Sequence, residues 1–340
     1  MYKSLLAGCC LLATLLPAAA QTAPAAEQLF LQQLGQQLLL PRYQAVADSS
    51  QALADSIAQL CRQPDKAALA DSRRAWLQAY RQWLAVAPLN WGPSAELRSQ
   101  RLIAFRPARP ALIEAAVAQQ LGASAEHYEE AGAAAKGYNA IEYALYQRSA
   151  ELSQPARCQW LQRNAAEIAA HTPQLLAQWQ QFAASLPLSG SAGAAYASSS
   201  QPVEEVVNLT LAGLNELHKE LSRLGGLKPE QIPGQRSASG KQQQQAQFSL
   251  LQAVLLGADQ QGGLARLAAQ QQPALAATLR QQVAAVAAGL QQLPEQLAQP
   301  DAARRAQPAV AALASLMDTL EGPLTQALDI TLSFNESDGD

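Results

Sequence analysis

Wherever apolar residues recur in this chain, they recur every three or four positions, and nowhere do they alternate as a half-buried strand requires. Trp76, Tyr80, Trp83 and Leu84 fall on one face of a helix opened by Asp65 and Asp71. Val203, Val207, Leu214, Leu217, Leu221 and Leu224 do the same before Gly225-Gly226. Alanine, leucine and glutamine dominate between such stripes, and aromatic residues make up only 5% of the chain, so side-chain entropy also favours helix. No turn-flanked βαβ unit is present. The expected fold class is all-α, with two helical-bundle domains.

The remaining punctuation divides the chain. Lys3, the apolar run from Leu5 to Leu16 and Ala18-Ala19-Ala20 read as a signal peptide over residues 1–20. The apolar run is shorter than the roughly 20 residues a membrane span needs. Leu6-Ala7-Gly8-Cys9 also has the form of a lipidation box, so a lipid anchor at Cys9 is the alternative to soluble export. Either reading places the mature chain outside the cytoplasm, and cleavage of the signal predicts the periplasm. A helical bundle is expected over 21–188, a Ser-, Gly- and Ala-rich linker over 189–201, and a second bundle over 202–340. Pro41 is expected to kink or break the first helix, and Pro173 to kink the long helix that follows Pro155. Lys228–Gln245 reads as a polar loop whose glutamine run carries no assignable chemistry.

Charge and cysteine content narrow the function. Of 24 basic residues, Lys3 lies in the signal, which leaves 23 against 27 acidic residues. That balance gives no basic field for nucleic acid. Cys9 and Cys10 lie in the signal as well, so Cys61 and Cys158 are the pair that remains. In an oxidising compartment they are expected to form a disulfide, with two buried thiols as the alternative. The bridge would close a loop of about 97 residues and stabilise the fold by roughly 4 kcal/mol.

Few residues can carry chemistry. KGYNAIEYALY, residues 136–146, puts Asn139 and Glu142 on one helical face, one turn apart. A histidine and a glutamate at that spacing present a nitrogen and a carboxylate to one metal ion, but here the nitrogen position holds an amide. His127 and Glu130 in AEHYEE form a literal His-x-x-Glu, which reads either as a metal-ligand pair or as a solvated helical turn. Arg98, Arg101, Arg106 and Arg109 crowd a proline-containing loop, where they either clamp an anion or pair with Glu96 and Glu114. NESDGD at residues 335–340 offers cation-binding oxygens or a solvated acidic tail. The motifs H-E-x-x-H, G-x-S-x-G and a phosphate-cradling glycine loop are all missing.

GYNAIEYALY resembles the G-x-H-x-x-E motif of imelysin-like proteins. The resemblance extends to RRAWLQAYRQWLAVAPLNWGP (73–93), RSASG (236–240) and ITLSFNESDGD (330–340). It implies two four-helix-type bundles with a site between them, and a role near iron uptake with iron-uptake proteins of the cell envelope as partners. The family's founding assignment is metallopeptidase. Gly137 and Glu142 match the motif, and Asn139 stands where it has histidine. Imidazole is a good ligand for iron or zinc, whereas a carboxamide offers only a weak carbonyl oxygen. The expectation is therefore a non-catalytic binding protein, with iron or another divalent cation as possible ligand. Glu142 stands at the centre of its site, Asn139, Tyr138 and Arg106 form the walls, and Glu142 and His127 are the candidate metal ligands. A structural role for Glu142, paired with a loop arginine, is the alternative. A metallopeptidase and an interaction scaffold are the competing functions.

Overall fold

The computed structural model describes residues 26–260 and 262–332; the signal segment, Cys9 and the NESDGD tail lie outside them. Among the described residues every regular element is a helix. The first runs as α1 (Ala26–Gln32), a π-helical stretch from Gln33 to Leu39, and α2 (Leu40–Arg62). Pro41 therefore does not break the chain's course, contrary to expectation. The Leu40 N–H donates to Gly35 O, five residues back, and this wider turn makes room for the proline ring that a tight α-turn would exclude.

Asp65 caps α3 (Lys66–Leu84), its Oδ1 accepting from Ala68 N at 2.8 Å. The stripe expected on α3 is buried: Trp76, Tyr80 and Trp83 are each almost fully enclosed. Short helices α4 (Pro93–Glu96), α5 (Ser99–Ile103), α6 (Pro110–Ala118) and α7 (Ala125–Glu129) lead to α8 (Gly137–Gln147). The arginine-containing loop thus includes a turn of helix, α5. The long α9 (Pro155–Ser185) carries Pro173 inside it without a break. Helices α2, α3, α8 and α9 pack together, with Leu53, Ile57, Ile168, Leu175 and Trp179 between them. Cys61, at the end of α2, is bonded to Cys158 in the first turn of α9, their Cα atoms 5.7 Å apart.

Turns fill residues 189–199, and α10 (Ser200–Ser222) follows with its predicted stripe inward. It packs with α11 (Gly240–Leu256), α13 (Pro273–Gln291) and α14 (Ala302–Thr319) as a second group; α12 (Gly263–Ala268) and α15 (Thr325–Leu328) complete the chain. The glutamine run expected in a loop lies in the first turns of α11, where Gln243 and Gln244 are buried. Helix α11 also packs on α3, so one apolar core continues from Trp83 to Leu250 and Leu313. No described helix is long and apolar enough to cross a membrane.

Candidate binding site

The site starts from Gly137. Its φ of +78° suits glycine alone, and a Cβ there would lie 2.3 Å from the Ile103 carbonyl oxygen. Asn164 on α9 holds this turn, with Oδ1 accepting from Gly137 N at 2.8 Å and from the Tyr128 hydroxyl at 3.1 Å. Helix α8 thereby enters the interior, and every residue from Gly137 to Leu145 is buried. Tyr138 faces the first group of helices, away from the Asn139–Glu142 face. Its hydroxyl lies 2.9 Å from Ser50 Oγ, and its carbonyl accepts from Trp76 Nε1.

Asn139 and Glu142, 7% and 4% exposed, look instead toward the segment between α10 and α11. The Asn139 amide donates to Phe105 O at 3.0 Å and to Ala104 O at 3.4 Å. Glu142 Oε1 accepts from Ser237 Oγ at 2.6 Å and from Ser237 N at 3.2 Å. Arg236 faces the other carboxylate oxygen at 3.7 Å, an ion pair without a direct hydrogen bond. Burial pushes the Glu142 carboxyl above the usual range, and Ser237 and Arg236 oppose that rise.

Arg106 pairs with Glu220 of α10, whose second oxygen accepts from Gln244 Nε2 at 2.9 Å. Asn139, Glu142, Arg106, Arg236 and Gln243 line one cleft of about 200 Å³, closed on its far side by residues 230–234. Beside it, Tyr80 Oη is buried close to Asn139 and Arg106, and neither it nor Arg106 Nη1 makes a well-formed hydrogen bond; Gln244 Oε1 is buried without a partner. The Tyr80 hydroxyl is pushed up by burial and lies within electrostatic reach of Arg106 and Glu142.

Glu142 thus meets Arg236, and the loop arginine Arg106 meets Glu220. Arg98, Arg101 and Arg109 are exposed. Glu114, a partner expected for that loop, is held by Arg157 through contacts of 3.0 and 2.6 Å, with Tyr143 donating at 2.8 Å. The Arg157 hydrogen bonds hold the Glu114 carboxyl below the usual carboxylate range. His127 stands exposed on α7, where its backbone N–H donates to the capping Ser124 Oγ, and it does not line the cleft. Sequence reasoning did not single out Arg236, Ser237, Glu220, Gln243 or Gln244 as site residues. The RSASG stretch was visible only as a landmark, and nothing local tied it to a helix 95 residues earlier.

The imelysin (peptidase M75) family model matches residues 39–320. The chain belongs to the imelysin family. No curated protein matches it. Among solved structures, an imelysin-like protein from Psychrobacter arcticum 273-4 superposes with a TM-score of 0.75 at 20% identity, over 92% of this chain and 98% of that one. A protein described as an iron-regulated protein A precursor, from Parabacteroides distasonis ATCC 8503, gives a TM-score of 0.77 at 13% identity, over 92% and 97%. At such identities these likenesses establish the imelysin fold alone.

The donor set does not fit a transition metal at the imelysin motif. The Asn139 amide nitrogen is spent on backbone carbonyls, and both Glu142 oxygens already face donors. Among the described residues no three histidine, cysteine, aspartate or glutamate side chains converge on a point. The two guanidinium groups that line the same cleft face carboxylates, Arg106 pairing with Glu220 and Arg236 with Glu142, while Glu230 lines its exposed side.

Proposed function

We propose that this imelysin-family chain is an exported periplasmic protein that binds a ligand without catalysis, as an accessory to iron or metal acquisition. Its partners would be iron-uptake proteins of the cell envelope. The observation that carries this reading is the buried Glu142, bonded to Ser237 and faced by Arg236 in a cleft formed between α8 and the α10–α11 segment. A metallopeptidase would need several metal ligands converging with Glu142, and among the described residues no three histidine, cysteine, aspartate or glutamate side chains do so. The disulfide supports export, because such bonds persist in oxidising compartments. The name of the Parabacteroides relative supports the link to iron.

The test is titration of purified protein with iron, given as a simple salt and as soluble chelates, alongside a peptide-hydrolysis assay with and without chelator. Binding of iron in either form without hydrolysis is expected. Chelator-sensitive hydrolysis would refute the non-catalytic reading, and failure to bind iron in any form would refute the link to iron. Recovery of the intact protein in the soluble cytoplasmic fraction would refute export.

A further inference from the structure

Two features of the cleft point to an acceptor-rich ligand. Arg236 is enclosed, with its side chain only 8% exposed, yet its one hydrogen bond among the described residues runs from Nε to Gln147 Oε1 at 2.9 Å. Its guanidinium lies 5.9 Å from the centre of the Tyr143 ring, and the nearest carboxylate oxygen, of Glu142, is 3.7 Å from a terminal nitrogen, too far for a full hydrogen bond. Arg106 gives one terminal nitrogen to Glu220, while its other is buried close to the Tyr80 hydroxyl without a well-formed hydrogen bond. Buried donors are rarely left short of a good acceptor, and a site that does so has room for an acceptor to complete it.

Size and charge narrow the ligand further. A cleft of about 200 Å³ holds several waters or one small molecule and lies below the roughly 300–1,000 Å³ of sites for drug-sized ligands. Two planar guanidinium forks match a carboxylate. A phosphate dianion would face Glu142 and the exposed Glu230 in the wall and Glu220 behind Arg106, without compensation. A carboxylate next to Glu142 can instead share one proton with it, as paired carboxyl groups do.

Resting on the reading of this cleft as a binding site, we infer that it takes a small carboxylate-bearing molecule between Arg106 and Arg236, with Glu142 sharing a proton with the ligand. The proton comes from solvent, so binding is accompanied by proton uptake. The shared chemistry allows two sources, a free polycarboxylate or the same polycarboxylate wrapped around iron(III).

Isothermal titration with citrate and with iron(III) citrate, each in two buffers of different ionisation enthalpy, tests the inference. Wild type is expected to bind at least one form with net proton uptake, and the tighter form identifies the source. Arg106→Gln and Arg236→Gln should each weaken binding by about tenfold or more, the loss expected for one charged hydrogen bond. Glu142→Gln, which mimics the protonated acid, should bind at least as well as wild type and take up no proton. Circular dichroism checks that each variant is folded. Should Arg236→Gln fail to fold, Arg106→Gln, in a partly exposed loop, carries the test. Absence of binding by wild type to both forms overturns the inference, leaving the ligand-binding role to the iron titration. Binding of iron salt that Glu142→Gln abolishes and the arginine variants spare also overturns it, and that pattern would leave a metal-binding role intact.

Discussion

Replacing Gly137 by alanine tests the geometry on which the whole site depends. Three costs follow from the structure. Alanine at φ +78° carries a left-handed penalty of roughly 1–2 kcal/mol. Its Cβ would meet backbone rather than a yielding side chain, at 2.3 Å from Ile103 O and 2.5 Å from Ile103 C. Relief of that overlap has to move the start of α8. This breaks the 2.8 Å bond from Gly137 N to Asn164, and a buried donor left unpaired costs about 1–3 kcal/mol. The stiffer unfolded chain offsets less than about 1 kcal/mol. A net loss of roughly 3–4 kcal/mol is therefore expected, which lowers Tm by about 5 °C for a chain of this size. Thermal and urea unfolding followed by circular dichroism measure it. Gly132→Ala is the control, since Gly132 has φ −68° and nothing within 4 Å of an added Cβ, and it should change stability by less than about 0.5 kcal/mol. If Gly137→Ala unfolds within about 1 kcal/mol of wild type, the close approach to Ile103 does not set the start of α8.

Removing the disulfide with the double replacement Cys61→Ser and Cys158→Ser should cost about 4 kcal/mol, read from the urea midpoint; two titratable thiols in the unreduced wild type would contradict the bridge. Glu142→Gln should raise stability increasingly as pH climbs from 4 to 7. The wild-type carboxyl is raised by burial, so the folded state keeps its proton longer than the unfolded one, and stability falls once pH passes the unfolded value near 4.3. A difference in Tm that does not vary with pH would contradict that cause. Glu114→Gln should act in the opposite sense. Its carboxyl is held low chiefly by Arg157, so its contribution is present above pH of about 4.3 and is lost as pH falls through the lower folded value. The expected cost near pH 7 is about 2 kcal/mol, moderated because Glu151 still pairs with the buried Arg157 at 2.7 Å, and no change in urea midpoint would refute it.

The fold was legible because burial on a helix leaves a period that any window of sequence displays. The stripes on α3 and α10 lie inward as their spacing requires. The break expected at Pro41 does not occur, because Pro41 falls in the first turn of α2 directly after a π-helical stretch that no residue pattern announces. The glutamine run misled for a different reason. Amide side chains look polar in any hydropathy reading, yet Gln243 and Gln244 are buried with partners in the folded structure, Ser239 for the first and Glu220 for the second. The pairing of Glu142 with Ser237 spans 95 residues, and its two ends belong to different packing groups of helices. No local spacing could encode it.

The exchange of histidine for Asn139 gains meaning from these contacts. An asparagine amide donates two N–H bonds, and here the nitrogen reaches the carbonyls of Ala104 and Phe105. Phe105 directly precedes Arg106, so the amide pins the loop from which Arg106 extends to Glu220 on α10. A neutral imidazole has only one ring N–H to give and would offer its other nitrogen to the cleft as an acceptor. The position that serves the imelysin motif as a ligand thus serves here to position a guanidinium. Glu142 undergoes the matching change, because with Ser237 on one oxygen and Arg236 facing the other it is already engaged from the opposite side. Together these contacts place guanidinium and amide groups beside the Glu142 carboxylate in the space between α8 and the α10–α11 segment, while Gly137 and the turn of α8 keep the backbone frame of the motif.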